Sequence, residues 1–140
     1  MKVKFKKLHE NAVLPSYARP GDAGLDMFPV STERVPHHKI RCHFGFSMEI
    51  PEGYVGLIFP RSSIWKTDSR MSNSVGVIDS GYRGEVQAVF DMIGYQEFYK
   101  GGVPVCQMII MPIPPIEPEW ADYLSDTERG AGGFGHTSGL

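Results

Sequence analysis

Residues Ile40–Ile50 read IRCHFGFSMEI, and this stretch decides the fold. Every even-numbered position is apolar, while the odd-numbered positions hold charged, polar or small residues. Because successive side chains of a strand point to opposite faces, a strand here places six apolar groups on one face. A helix would distribute the same groups around its circumference. The pattern therefore predicts a strand over the whole stretch, with one buried face.

Shorter apolar patterns on both sides of this stretch predict further strands. Lys2–Lys6 and Val86–Met92 alternate in the same way, whereas Tyr54–Phe59 is a short apolar run. Val103–Ile113 is apolar on both faces, which predicts a strand buried on both sides and is compatible with a subunit interface or with a monomer core. The 16 glycines and 11 prolines are scattered between these runs, as is typical of many short strands joined by turns.

Helix signals are scarce. Ser62–Ser69 is expected to form a turn or two with Ser62 as the N-cap, and Ala121–Asp126 at most one turn. No strand alternates with a helix of ten or more residues, which disfavours a doubly wound α/β fold. We therefore expect an all-β jelly-roll or barrel with one short helix, over residues 1–124.

Charge and composition exclude several classes of function. The chain has 14 basic and 16 acidic side chains, so a nucleic-acid groove is not expected, although a small anionic ligand remains possible. No segment has the ~18 uninterrupted apolar residues of a membrane helix. Met1–Leu14 has no signal-peptide core. Cys42 and Cys106 lack the spacing of a disulfide framework and are expected to be buried thiols, which suits a cytoplasmic protein.

The C-terminal segment Ser125–Leu140 differs from the body in composition. It reads SDTERGAGGFGHTSGL, with few large apolar side chains, and is expected to be mobile on its own. Glycines let backbone N–H groups converge on an anion, Arg129 adds a guanidinium fork for phosphate, and Phe134 adds a flat face for a base. The plainer alternative is a disordered C-terminus.

Two further clusters carry groups suited to nucleotide chemistry. Pro60–Ser63 (PRSS) follows an apolar strand and brings an arginine to the first amides of a helix, although a capping turn beside a surface arginine is the plainer alternative. In Asn73–Glu85 (NSVGVIDSGYRGE) an apolar stretch leads into Asp79 and a tight turn, which indicates a hairpin. A carboxylate there can act as a general base, or simply cap the turn.

Taken together, these stretches resemble the five ordered motifs of the homotrimeric dUTPases. Ala23–Asp26 resembles the first motif, Pro60–Ser63 the second, Gly76–Glu85 the third, Gly102–Gln107 the fourth and Arg129–Thr137 the fifth. The third and fifth are the most specific. The resemblance implies a trimeric all-β enzyme with shared active sites, which hydrolyses dUTP to dUMP and pyrophosphate by attack of water at the α-phosphate.

The resemblance also implies a role for each matching residue. Asp79 would be the general base, Asp26 a supporting carboxylate, and Tyr82 would lie against deoxyribose and reject ribonucleotides. Uracil would be read by the hairpin, at Asn73, Gly76, Val77 and Ile78. The phosphates would be held by Arg61, Ser62, Ser63 and Gln107. The tail, which would close over the substrate, would contribute Arg129, Gly133, Phe134 and Gly135. Mg²⁺ would be coordinated by the phosphates and water, without protein ligands.

The chain departs from the family pattern at four places. Gly81 stands where many members have a second Asp, and Ser63 where Gly is usual. The fourth motif lacks its usual arginine, and His136 stands where Ser is common. None of these removes the proposed base, the tyrosine, the phosphate-binding arginines or the tail aromatic.

Two alternative functions are compatible with the same scaffold. A dCTP deaminase would need a catalytic Glu on the strand after the hairpin, where this chain has Gln87–Phe90 (QAVF). A non-catalytic nucleotide-binding regulator would bind dUTP without releasing pyrophosphate. Trp65 and Trp120 are expected to be packing residues, and the histidines at 37, 38 and 43 lack the spacing of a metal site.

Overall fold

The computed structural model describes residues 1–94, 98–99 and 101–135. Within these ranges the chain forms ten strands and one short 3-10 helix, which confirms the predicted all-β class. In chain order the elements are β1 (Lys4–Lys7), β2 (Leu25–Met27), β3 (Ser31–Val35), β4 (Lys39–His43), β5 (Phe46–Glu49), β6 (Tyr54–Pro60), the 3-10 helix (Ser62–Lys66), β7 (Ser69–Met71), β8 (Gly76–Ile78), β9 (Gln87–Met92) and β10 (Cys106–Pro112).

The strands pair antiparallel in three sheets that share one core. The sheet orders are β1-β5, β2-β10-β6-β8 and β3-β4-β9-β7. The core draws side chains from all three sheets, and its largest fully buried members are Phe44, Phe90, Met27, Ile58 and Met108. Each such side chain stabilises the fold by about 1.5–3 kcal/mol through its removal from water.

The stretch Ile40–Ile50 forms two strands rather than the one that was predicted. All six even-numbered side chains are buried, as predicted, but Gly45 and Ser47 are buried as well, so the predicted alternation holds fully only over residues 40–44. The strand is nevertheless interrupted at Gly45, whose φ of +68° lies in the left-handed region. β4 pairs with β3 and β9, whereas β5 pairs with β1. The chain thus passes from one sheet to another at a residue that tolerates this backbone conformation.

The strands predicted over Lys2–Lys6, Tyr54–Phe59 and Val86–Met92 are present as β1, β6 and β9. The strand predicted over Val103–Ile113 is shorter, Cys106–Pro112, and it is not buried on both sides within one chain. Cys106 and Met108 are buried, but Met111 is 42% exposed. β10 lies between β2 and β6 with one face on the core, which leaves its other face partly open.

The helix predictions need two corrections. The 3-10 helix begins at Ser62, and its N-cap is Arg61, which makes no side-chain capping hydrogen bond. Ala121–Asp126 forms no helix. Trp65 and Trp120, which were expected to be packing residues, are both largely exposed on this chain and do not pack in its core. Among the residues described, no helix is long and apolar enough to cross a membrane.

Residues 113–124 continue from β10 without joining a sheet. Their large apolar side chains are exposed, namely Ile113, Ile116, Trp120, Tyr123 and Leu124. The boundary between a body and a tail near Leu124 stays a prediction. His136 and Thr137 of the tail motif lie outside the described residues.

Candidate active site

Three predicted site residues from different strands meet at one end of the central sheet. Gln107 on β10 stands opposite Asp26 on β2 and opposite Phe59 on β6, so the strand register brings Asp26 and Gln107 side by side. Arg61 follows directly after the last residue of β6. We call Asp26, Arg61, Ser62, Ser63 and Gln107 the Arg61 cluster.

Hydrogen bonds fix the side chains of this cluster. Arg61 Nε lies 3.1 Å from Asp26 Oδ1, and the Asp26 side chain is only 15% exposed. Arg61 Nη1 donates to the Pro104 carbonyl at 3.5 Å, and Gln107 Nε2 donates to the Pro60 carbonyl at 3.2 Å. These contacts engage only part of the guanidinium, whose remaining N–H groups are suited to an anion.

Gly24 of the first motif supports the cluster because glycine has no side chain. A Cβ on Gly24 would lie 2.4 Å from Gln107 Oε1 and 3.0 Å from Gln107 Cβ. Only glycine lets β2 approach β10 this closely without displacing Gln107. Gly24 therefore has a spatial role that its place in a short motif did not reveal.

The hydroxyl groups of the second motif lie on the 3-10 helix after Arg61. Ser63 Oγ is 3.3 Å from the Tyr99 hydroxyl, and Phe98 packs its ring 5.0 Å from that of Phe90 in the core. The sequence predicted no role for Tyr99, because the residues next to it in the chain give no sign of a contact with Ser63.

Asp79 lies in a turn at the end of β8, and its side chain is exposed. Tyr82 N–H donates to the Asp79 carbonyl at 3.1 Å, which closes the turn. Arg83 Nη1 donates to the Ser80 carbonyl at 2.6 Å and to that of Tyr82 at 3.0 Å. The predicted tight turn is therefore present and braced by its own side chains, with a carboxylate available to solvent. The predicted hairpin is wrong, because the strands on the two sides of the turn do not pair: β8 pairs with β6, whereas β9 pairs with β4 and β7.

The residues before Asp79, 73–78, were expected to bind a base through their backbone. Gly76 is buried, and a Cβ there would lie 3.2 Å from Ile58 Cβ. Val77 is 62% exposed, while Asn73 closes a tight turn by accepting a bond from Val75 N–H at 2.6 Å. β8 is also the outer strand of its sheet, so its backbone groups on that edge are not paired with another strand among the residues described.

The Asp79 turn and the Arg61 cluster lie at opposite ends of β6. Ile78 pairs with Gly56, near the start of β6, whereas Arg61 follows its end. β6 has seven residues, and at about 3.3 Å per residue its ends are about 20 Å apart. One chain thus brings Asp26, Arg61, Ser62, Ser63 and Gln107 together but does not bring them to Asp79 and Tyr82.

The described part of the tail, up to Gly135, has its own local turns. Gly130 N–H donates to Thr127, Gly132 N–H to the Arg129 carbonyl, and Arg129 Nε to the Gly132 carbonyl at 2.9 Å. Gly130 and Gly135 have positive φ, as does Phe134, whose ring is fully exposed. Arg129, Gly133 and Phe134 are all on the surface in this structure.

Comparisons with known proteins agree on one family. A family model described as dUTPase matches residues 10–138. The deoxyuridine 5'-triphosphate nucleotidohydrolases of Hydrogenobaculum sp. and Clostridium kluyveri are 40% and 37% identical to this chain, and each alignment covers 98% of both proteins. The structure of a mutant dUTPase from Staphylococcus bacteriophage 80alpha with dUpNHpp superimposes with a TM-score of 0.84 at 25% identity, covering 97% of this chain and 98% of that one.

Proposed function

Because the chain belongs to the dUTPase family, it hydrolyses dUTP to dUMP, and we propose that water attacks the α-phosphate and pyrophosphate leaves. The observation that carries this mechanism is the exposed Asp79 carboxylate on a turn braced by Tyr82 and Arg83. A dCTP deaminase or a non-catalytic regulator is not favoured by the family match.

Asp79 is the general base of this mechanism. Its carboxylate accepts a proton from the attacking water and orients that water toward phosphorus. Attack at phosphorus needs little covalent chemistry from the protein, so positioning and charge stabilisation dominate the rate. A rigid turn serves this purpose better than a flexible loop.

The Arg61 cluster supplies the phosphate contacts. The guanidinium, the hydroxyls of Ser62 and Ser63 and the Gln107 amide are donors, and Asp26 holds Arg61 in place at 3.1 Å. Charge-assisted bonds from a guanidinium to phosphate oxygens are stronger than neutral ones. Arg129 of the tail adds a second guanidinium for the γ-phosphate.

The residues that recognise the base and the sugar belong to β8 and to the turns before and after it. The backbone of Asn73, Gly76, Val77 and Ile78 reads uracil, while the Tyr82 ring lies against deoxyribose and excludes a 2′-hydroxyl. Phe134, together with Gly133 and Gly135, closes the tail over the base. An exposed aromatic ring loses unfavourable contact with water when it covers a base, which favours closure upon binding.

Mg²⁺ fits this site as a partner of the substrate. The carboxylate nearest the phosphate-binding donors, Asp26, is paired with Arg61 and therefore not free to bind a metal. We propose that triphosphate oxygens and water coordinate the ion, since Mg²⁺ prefers oxygen ligands and retains water. When bound, Mg²⁺ neutralises part of the phosphate charge beside Arg61.

The separation within one chain supports an active site shared between subunits of a homotrimer. The base at Asp79 and the donors at Arg61 must reach the same α-phosphate, yet they lie about 20 Å apart along β6. Two chains that meet can place the Asp79 turn of one beside the Arg61 cluster of the other. The exposed apolar side chains of residues 113–124 and the open face of β10 supply surface for such contacts.

A cytoplasmic location stays a prediction, which the two free buried cysteines support. Burial raises the pKa of the Cys42 thiol to about 12, which makes it unreactive.

Release of pyrophosphate from dUTP, dTTP, dCTP and UTP, measured in parallel with Mg²⁺ present, tests the proposed function. We expect rapid release from dUTP and little from the other three. Ammonia release from dCTP would indicate a deaminase, and tight binding of dUTP without pyrophosphate release would indicate a regulator.

A further inference from the structure

The position of the Tyr82 ring depends on the backbone of Glu85. The Tyr82 hydroxyl donates to the Glu85 carbonyl at 2.9 Å. The ring lies over Gly84, where a Cβ would be 2.4 Å from the hydroxyl oxygen and 2.6 Å from Cζ. Tyr82 is thus held at its backbone by the Asp79 turn and at its hydroxyl by residue 85.

The side chain of Glu85 reaches away from Tyr82 to the break between β4 and β5. Its Oε1 accepts from Gly45 N–H at 3.0 Å, and its Oε2 lies 3.0 Å from both His43 Nδ1 and Gln87 Nε2. The Gly45 carbonyl in turn accepts from Leu8 N–H at 2.8 Å and from His9 N–H at 3.1 Å. Glu85 therefore joins the Asp79 turn to a part of the body that other hydrogen bonds also hold.

His43 lies between two carboxylates. Its Nδ1 faces Glu85, and its Nε2 lies 3.3 Å from Glu33 Oε1 on β3, which also accepts from Arg41 Nη1 at 3.1 Å. Hydrogen bonds to Glu85 and Glu33 raise the pKa of His43 despite its partial burial. Although burial by itself would raise the pKa of Glu85, hydrogen bonds from His43, Gln87 and Gly45 lower it overall. Both shifts favour the charged forms of the two groups.

We propose that Glu85, held by His43 and the Gly45 N–H, is a positioning residue for sugar discrimination and acts through Tyr82. This inference rests on the proposed function, in which the Tyr82 ring lies against deoxyribose. A ring that shifts away from the sugar leaves room for a 2′-hydroxyl. Glu85 itself needs no contact with the nucleotide.

Glu85→Gln tests the inference by retaining the shape of the side chain while removing its charge. We expect the ratio of kcat/KM for dUTP to that for UTP to fall about tenfold, because charge-assisted bonds to Gly45 and His43 become neutral ones. The ratio is measured with both nucleotides in one mixture, from the dUMP and UMP formed. A role in stability alone would lower both rates equally and leave the ratio unchanged.

Asp91→Asn is the matched control. Asp91 is another paired carboxylate, bonded to Lys39, Arg70 and Ser72 on the β3-β4-β9-β7 sheet, and these partners lie outside the Tyr82 turn. We expect its loss to lower stability and to leave the dUTP to UTP ratio at the wild-type value.

A double-mutant cycle with Tyr82→Phe separates action through Tyr82 from other effects. Tyr82→Phe keeps the ring but removes the bond to the Glu85 carbonyl, so Glu85→Gln in that background should not change the ratio further. If Glu85→Gln does not fold, His43→Gln replaces it with the same expectation. A wild-type ratio in the single variant, or an equal fall in both backgrounds, would overturn the inference. Failure of the wild-type protein to cleave dUTP would instead overturn the proposed function.

Discussion

Asp79 combines exposure with a fixed backbone, and this combination suits a base that works on water. Its turn is closed by Tyr82 N–H and braced by Arg83, so the backbone that carries the carboxylate is held in place. A carboxamide of the same shape cannot accept the proton of the attacking water.

Asp79→Asn should therefore keep the affinity for dUpNHpp and slow turnover by about two to four orders of magnitude. The affinity is measured by calorimetry and the turnover by pyrophosphate release. Near-normal turnover in this variant would contradict the assignment of Asp79 as the base.

The ion pair between His43 and Glu85 gives a second prediction, on stability. The pKa of His43 is raised by its hydrogen bond to Glu85, so the folded state gains from protonation of His43. This gain is fully present below the unfolded pKa of about 6.5 and is lost as the pH rises through the raised folded pKa. The difference in unfolding free energy between wild type and His43→Gln should therefore shrink as the pH rises above about 6.5 and through the raised folded pKa of His43.

Urea unfolding at constant protein concentration measures that difference, since subunit association also contributes to stability. If the difference in unfolding free energy stays constant or grows with pH, the contacts with Glu85 and Glu33 do not raise the pKa of His43.

At the scale of the elements, the passage from β4 to β5 decides how the sheets are connected. Gly45 has a φ of +68°, its carbonyl accepts from Leu8 and His9 N–H, and its N–H donates to Glu85. The N-terminal segment packs against the same residue, because a Cβ there would meet His9, Val30 and Ala12.

Gly45→Ala should accordingly destabilise the fold by more than the ~1 kcal/mol of a left-handed alanine. Gly53→Ala is the matched control, because Gly53 has a φ of +81° but nothing within 4 Å of an added Cβ. Thermal unfolding of both variants separates the backbone cost from the steric cost. Equal losses of stability would mean that the contacts around Gly45 relax freely.

The tail is the second element with a separable role. Its described hydrogen bonds at 127–132 are local, and Phe134 is exposed, so its removal should leave the body intact. Truncation after Thr127 should give a folded oligomer that has lost most of its dUTPase activity, since the second guanidinium and the lid are gone. Size-exclusion chromatography and pyrophosphate release measure the two effects, and loss of the oligomer would show that the tail is structural.

At the scale of the whole molecule, the main observation is the distance along β6 that separates the Asp79 turn from the Arg61 cluster. The Arg61 cluster is assembled by the register of β2, β10 and β6, and the Asp79 turn by β8 at the other end. The exposed apolar side chains of Trp65, Trp120 and Leu124 are costly in a lone chain, and this cost favours the association of subunits that we propose.

Complementation between two inactive variants tests this arrangement. Chains with Asp79→Asn and chains with Arg61→Ala are unfolded together in equal amounts and refolded. If a site takes Asp79 from one chain and Arg61 from another, about a quarter of the sites regain both residues and activity returns to that fraction. If both residues act from one chain, the mixture stays as inactive as its parts.

Sequence reasoning reached most of the strands and the chemical groups of the site, and it failed where distant parts of the chain meet. The alternation in Ile40–Ile50 predicted the buried face correctly but not the break at Gly45, because apolar residues take every even-numbered position on both sides of Gly45. Ser62 was expected to cap a helix that it in fact begins, because the N-cap position falls one residue earlier, at Arg61. Nothing local could reveal the bond from Glu85 to His43, 42 residues away.

The amino-acid sequence by itself determined which side chains face the core and which residue types stand at each motif, since the two-residue period of a strand depends only on neighbours in the chain. The tertiary structure decided the rest: the change of sheet at Gly45, the separation of Asp79 from Arg61, and the anchoring of Tyr82 through Glu85. These depend on strand pairing and hydrogen bonds between residues far apart in sequence, which the folded backbone alone brings together.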